Sequence, residues 1–228
     1  MPMARALAEE LMDDPMLDPQ TYARVLGDLA KANAVTLARR PTMRFLRRAL
    51  GERTSFRLLD IGYGNGDMLR RIAQWVANKG LNAELVGVDL NPKSAEVARS
   101  ATIAPLAIEW RTGDYAAYSD ESWDFIVSSL VAHHMTHDQL VRFLQFMETH
   151  AKRGWLINDL HRHRLAWIGF PLLARMMRWH KIVRADGQLS VARSYRPNEW
   201  CEILDEAGIK NARVFRAFPF RLCVESIR

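Results

Sequence analysis

The chain has 228 residues, 49% hydrophobic and 25% charged, with 32 Lys and Arg against 26 Asp and Glu. This composition is that of a globular chain long enough to bury a sizeable core as one domain, and it excludes a disordered or fibrous polymer. A formal charge of +6 admits nucleic acid, an anionic membrane face or acidic small molecules as partners, and alone selects none of them. The opening MPMARALAEELMDDP carries acids where a secretory leader needs an apolar run, and no window reaches the roughly 18 apolar residues of a membrane span. A cytoplasmic protein is expected. Cys201 and Cys223 lie in separate apolar contexts with no CxxC, which predicts buried reduced thiols instead of a disulfide or a zinc site.

Residues 5–50 read as two or three helices, with turns at Asp13-Asp14-Pro15 and Asp18-Pro19 and with Pro41 starting a basic helix that ends near Gly51. We take 1–52 as an N-terminal helical cap and 53–228 as the catalytic unit. From Phe56 short β-rich runs alternate with helical patterns: FRLLDI, a helix over about 67–79, AELVGVDL, a helix over 92–100, IEWRTGD, DFIVSSLVA, a helix over 136–151 and WLINDL. Such alternation buries a parallel sheet between helix layers, so the expected architecture is a Rossmann-like, doubly wound, mostly parallel seven-stranded sheet. Residues 162–185 interrupt the series with one long apolar and basic helical segment, within a lid insert of about 162–196. A helix over 197–207 ends at Gly208, and VFRAFPFRLCVES reads as a C-terminal antiparallel hairpin around Phe218-Pro219.

The stretch LLDIGYGNGD, residues 58–67, places glycines at the turn from a buried strand into a helix whose apolar face is Met68, Leu69, Ile72 and Val76. A ligand there meets backbone N–H groups at the carboxyl edge of the sheet. A dinucleotide loop reads GxGxxG; here the spacing is Gly62, Gly64, Gly66, and Asp60 at the strand end repels phosphate but attracts an ammonium or sulfonium. The loop suits a cationic, phosphate-free nucleoside.

On these residues the chain resembles the class I S-adenosylmethionine-dependent methyltransferases, whose first motif is an acid followed by GxGxG. The resemblance covers roughly residues 55–160 and implies S-adenosylmethionine as cofactor, held by Asp60, Gly62, Gly64, Gly66 and Asp67. It also implies that Asp89, ending VGVDLNP, bonds the ribose hydroxyls, that Asp114 after the third strand meets the adenine amino group, and that Leu90 and Tyr115 flank the adenine ring. A nicotinamide dehydrogenase is the alternative for the cofactor.

Methyl transfer is an in-line displacement, so alignment supplies much of the catalysis, and a phenol acceptor must also lose its proton. His133 and His134, just past the fourth strand on the same sheet edge as the glycines, are candidate bases; helix capping is the competing role. The fifth strand ends in INDLHRHR, where Asp159 and His161 are the remaining catalytic candidates and an ion-paired scaffold is the alternative. No HExxH or comparable spacing appears, so no metal is expected. SSLVAHH stands where amino-directed DNA and protein-glutamine methyltransferases carry an Asn-Pro-Pro-Tyr type of motif, and no Pro-Cys thiol is present, which disfavours nucleic-acid substrates.

The segment 164–183, with Trp167, Phe170, Leu172, Leu173, Met176, Met177 and Trp179 among arginines, reads as a core-packed helix, as a pocket wall for a hydrophobic aromatic acceptor, or as a basic foot giving peripheral membrane contact. The following RADGQLSVARSY, with Asp186, Ser190, Arg193 and Tyr195, is read as a closing loop or a plain turn. Together with the MDDP start, these stretches are similar to UbiE-like methyltransferases of quinone, phenolic or polyketide acceptors, a group tied to secondary metabolism, from whose quinone C-methyltransferases the long insert departs. The expected activity is O-methylation of a phenolic or polyketide small molecule. The alternatives are ring C-methylation, an RNA or protein methyltransferase, and a non-catalytic S-adenosylmethionine-binding subunit.

Overall fold

The computed structural model describes residues 4–103 and 106–228. Two helices lead, α1 (Pro19–Val35) and α2 (Arg39–Leu50), preceded by a short 3-10 turn at Leu11–Asp13. Asp18 starts α1 by accepting the Thr21 N–H, with Pro19 at the first helical position where its missing N–H costs nothing. In α2, Phe45, Leu46, Ala49 and Leu50 are buried while Arg44, Arg47 and Arg48 face outward, and the helix begins at Arg39, two residues before the Pro41 start read from sequence.

The alternating series follows as β1 (Ser55–Ile61), α3 (Asp67–Lys79), β2 (Asn82–Asp89), α4 (Pro92–Ser100), β3 (Glu109–Thr112), β4 (Trp123–Ser129), α5 (His137–His150) and β5 (Ala151–Leu160). The insert is α6 (Arg164–Met176) and α7 (Lys181–Arg193); α8 (Pro197–Glu206), β6 (Arg213–Ala217) and β7 (Arg221–Ile227) close the chain. The sheet order is β3-β2-β1-β4-β5-β7-β6, with β1–β5 mutually parallel and β7 antiparallel to both its neighbours. The order reverses between β1 and β4, and a crevice opens beyond their carboxyl ends. Leu58, Leu59, Phe125, Ile126, Val127 and Leu156 in the central strands are buried on both faces, as helices on two sides require.

The insert differs from the single helical segment read over 162–185. Arg178 adopts φ 55°, and the buried Asp28 of α1 accepts the His180 N–H, so α6 stops and α7 restarts within four residues. RADGQLSVARSY is correspondingly helix up to Arg193, not a loop or turn. α6 and α7 lie close together: a Cβ on Gly187 would come within 1.9 Å of the Phe170 ring, so only glycine admits that packing. Pro171 leaves the Trp167 carbonyl without its helical partner, and Gln188 of α7 donates to it at 3.2 Å. Cys223 is buried, but Cys201 is exposed on α8, against the expectation of two buried thiols.

Candidate functional site

The loop between β1 and α3 is shaped by its glycines. Gly62 and Gly66 have φ of 76° and 74°, and a Cβ on either would lie 2.3 Å from Val131 Cγ2 or 2.2 Å from the Trp110 ring. Side chains are thus forbidden twice over, by backbone sign and by space. The Gly64 N–H donates to Asp89 Oδ2 at 2.8 Å and the Asn91 N–H to Asp89 Oδ1 at 2.9 Å, which ties the ends of β1 and β2 together and leaves the carboxylate with spare lone pairs. Asp67 opens α3 and accepts from Arg39 Nε at 2.8 Å.

Asp60 has no such support. It is 2% exposed, and its carboxylate receives no hydrogen bond from any described residue. Burial, then the neighbouring Asp67 and Asp89, push its pKa up to about 8. A cation brought alongside would restore the ionised form; a phosphate would aggravate the repulsion. Burial likewise raises Asp89, against the two backbone N–H bonds. Donor groups of a cationic nucleoside fit these residues.

A cavity of about 680 Å³ runs from this loop, within the roughly 300–1,000 Å³ of small-molecule sites. Asp60, Gly62, Gly64, Asp67, Asp89, Leu90, Gly113 and Tyr115 line its first half. Leu90 is 73% exposed there, and Tyr115 is set edge-on against Phe143 and Phe146 at 5.0 and 4.8 Å. Gly66 is not on the wall; its place is against Trp110. Asp114 is not on the wall either: it is exposed, and its carboxylate accepts the Ala116 N–H at 2.9 Å to cap the 3-10 turn Tyr115–Tyr118.

Tyr22 and Leu26 of α1 stand over the glycine loop, the Leu26 carbonyl accepting from Asn65 Nδ2 and the Tyr22 hydroxyl bonding Ser94. The second half of the cavity is bounded by His133, His134, Glu10 and Asp13, by Leu29 of α1, by Phe170 and Leu173 of α6, and by Pro219 and Phe220 between β6 and β7. His133 is 2% exposed. Its Nδ1 pairs with Asp159 Oδ1 at 2.7 Å, its backbone N–H donates to Asp159 Oδ2 at 2.9 Å, and its Nε2 lies 3.5 Å from Glu10 Oε1. Burial alone would lower its pKa, but Asp159 and Glu10 on either side outweigh that and raise it to about 9. His133 is therefore an imidazolium at neutral pH, engaged at both ring nitrogens. His134 differs. Its Nδ1 pairs with Asp13 Oδ2 at 3.0 Å, while its Nε2 is 3.9 Å from Glu10 Oε2, beyond hydrogen-bond reach. It is half-buried and on the cavity wall.

The segment carrying both histidines is pinned by two arginines. Arg5 donates to the carbonyls of His133 at 3.2 Å and Met135 at 2.9 Å; Arg193 donates to those of His133 at 3.2 Å and His134 at 3.3 Å. Ser190 of α7 donates to Glu10 at 2.8 Å, and Asp186 accepts the Leu11 and Met12 N–H groups, both at 2.9 Å. Asp159 thus serves His133 and does not itself line the cavity. His161 also stands away from the wall: its N–H donates to the Phe220 carbonyl at 2.9 Å, its ring lies 5.5 Å from that of His163, and burial with Arg216 and His163 nearby lowers its pKa to about 4. Sequence reading placed it in the site; the turn after β5 carries it outside. Glu10, Asp13 and Arg5 were not foreseen at the site, because they meet the histidines only across separations such as the 121 residues between Asp13 and His134.

Among the described residues, Glu10, His133 and His134 bring three possible metal-ligand atoms within 4.8 Å of one another, a grouping no local spacing announces. Their ion pairing with Asp159 and Asp13 accounts for the arrangement as it stands.

Residues 58–154 match the family model of a methyltransferase domain. No curated protein sequence matches the chain. Among solved structures, the chain is similar over 98% of its length to human N-acetylserotonin methyltransferase in complex with SAM, at 13% identity and TM-score 0.67, and it spans 60% of that protein. The plantazolicin methyltransferase BpumL in complex with SAH is 15% identical, with 96% of this chain and 93% of that one covered and a TM-score of 0.68. Magnesium protoporphyrin IX methyltransferase from Synechocystis PCC 6803 with bound SAH is 15% identical, covers 85% and 83%, and has a TM-score of 0.55. The matched segment carries the glycine loop, Asp60, Asp89 and both cavity histidines, but neither Glu10, Asp13 nor the α6–α7 insert. Residues 58–154 are thus similar to a methyltransferase domain, within a chain that takes a Rossmann-like methyltransferase fold along nearly its whole length.

Proposed function

We propose that this protein is an S-adenosylmethionine-dependent methyltransferase that methylates a hydroxyl of a hydrophobic aromatic small molecule. One observation carries the reading: a single cavity joins a carboxylate-rimmed glycine turn to a histidine whose Nε2 lies beyond hydrogen-bond reach of Glu10. Bound S-adenosylmethionine supplies an electrophilic methyl on a sulfonium, and S-adenosylhomocysteine is the product left behind. Asp60 meets the positive charge, Asp89 holds the ribose hydroxyls, and Leu90 and Tyr115 flank the adenine where the Gly113–Tyr115 turn borders the cavity. Leu29, Phe170 and Leu173 exclude water from the acceptor and hold its ring.

His134 is the group that takes the acceptor's proton. Asp13 holds its Nδ1–H and so directs the Nε2 lone pair into the cavity, the logic by which a carboxylate orients a catalytic imidazole. The buried Asp159–His133–Glu10 chain fixes the backbone beneath it, and the His133 imidazolium favours the acceptor oxygen as it becomes anionic. The reading is supported by neighbours named for small molecules, N-acetylserotonin, plantazolicin and magnesium protoporphyrin IX. A phenolic, quinol or polyketide acceptor of the UbiE-like kind is the class we assign.

The experiment is incubation of the protein with methyl-labelled S-adenosylmethionine and a native small-molecule extract, followed by NMR of the labelled product. An O-methyl signal on an aromatic product is expected. A C-methyl signal replaces oxygen by ring carbon as the target; label in RNA or protein, or binding without turnover on any fraction, overturns the small-molecule reading.

A further inference from the structure

Helix α6 walls the cavity with Leu165, Ala166, Phe170 and Leu173, yet its other side is not covered by any described residue. Ile168, Leu172 and Met176, at i, i+4 and i+8, are 54%, 65% and 72% exposed, and Leu165 at the cavity rim is 63% exposed. Trp167 and Met177 add to this surface, and Phe218, 80% exposed, stands in the turn whose Phe220 stacks on His163 just before α6, ring centroids 5.3 Å apart. An apolar surface therefore extends from the mouth of the cavity along the insert, of a kind that single scattered apolar residues do not make.

The charges within the segment that carries it have one sign. From Leu160 to Ala185 the sequence contains no Asp or Glu, while Arg164, Arg175, Arg178 and Lys181 are exposed and Arg184 is half-buried. A protein partner or a second copy would cover an apolar stripe without requiring its flanks to be purely cationic. An anionic bilayer answers both features at once, with hydrocarbon for the stripe and headgroup charge for the arginines, and Trp167 suits the headgroup boundary. No helix among the described residues is long and apolar enough to cross a membrane, so the contact lies along the surface.

We propose that α6 with the β6–β7 turn is a docking foot for an anionic lipid surface, resting in the interface with the cavity mouth turned toward the bilayer. The inference goes beyond the methyl-transfer reading and does not depend on it. It makes an acceptor that partitions into lipid, such as a phenol with a long alkyl chain, the class of substrate best placed to enter.

The test is sedimentation of the full chain with vesicles of phosphatidylglycerol and phosphatidylcholine mixed, and of phosphatidylcholine alone. Binding to the anionic vesicles at least tenfold above that to the neutral ones, weakened by salt, is expected. Ile168→Glu with Leu172→Glu should lower it at least tenfold, and Arg175→Glu with Arg178→Glu should remove the preference for anionic lipid. All four positions are exposed, and calorimetric affinity for S-adenosylmethionine in the same variants reports that the donor half is intact. No binding to anionic vesicles, binding unchanged in both variants, or a dimer that Leu172→Glu dissolves would each overturn the proposal, the last by assigning the stripe to a second copy.

Discussion

The two halves of the cavity are built in opposite ways. The donor half comes from consecutive strand ends, Asp60 to Asp67, Asp89 to Leu90 and Gly113 to Tyr115, each read from its own few residues. The acceptor half is assembled at long range: Glu10 reaches Ser190 across 180 residues and Arg193 reaches Ala8 across 185. On the proposed reading, local chemistry defines the donor's place, while the acceptor's surroundings exist only once the N-terminal segment and the insert have docked.

If that division is right, damage to one half should leave the other working. His134→Ala should lower kcat by roughly 10²–10⁴, the usual worth of a general base, with calorimetric affinity for S-adenosylmethionine unchanged. A parallel fall in cofactor affinity would place His134 in the donor half instead. Gly66→Val puts a branched side chain where a Cβ already lies 2.2 Å from Trp110 at φ 74°, and should lower unfolding free energy by about 3 kcal/mol in urea titration. An unaltered midpoint would show that the loop can rebuild. Asp89→Ala should weaken cofactor binding by roughly 1–3 kcal/mol through the lost ribose bonds and the Gly64 tie, with a smaller change in kcat. Equal affinity would remove Asp89 from the site.

Stability against pH samples both halves at once. His133 binds its proton more tightly in the fold than its ordinary 6.5, up to about 9, so its contribution is complete below pH 6.5 and is lost as pH rises toward 9. Asp60, held neutral until about 8 against an ordinary 3.8, loses stability in the same direction across that interval. Unfolding free energy should therefore fall as pH rises from 6.5 to 9, and fall less in His133→Gln. A flat profile would mean that the buried ion pairs titrate as they do in the unfolded chain.

Much of the framework was legible because periodicity and turn residues act locally: the strand at 56–61, the helix behind it and the hairpin at 214–226 each appear where their patterns place them. Where the reading failed, a distant residue decided the outcome. The insert reads as one helix because nothing between 162 and 185 breaks its apolar and basic pattern; Asp28, 152 residues earlier, captures the His180 N–H and splits it. His161 is adjacent to the right strand end yet turns toward the hairpin, and Asp114 has the right address but bonds its own turn. Asp13 read as a turn residue because no nearby pattern shows that it will meet His134.

The central claim is that Asp60, buried without a hydrogen-bond donor, waits for a positively charged nucleoside. Calorimetric titration with S-adenosylmethionine and with NAD tests it most directly. Stoichiometric binding of S-adenosylmethionine, weakened at least tenfold in Asp60→Ala, with no heat from NAD, is the predicted result; saturable binding of NAD with none of S-adenosylmethionine would contradict the account.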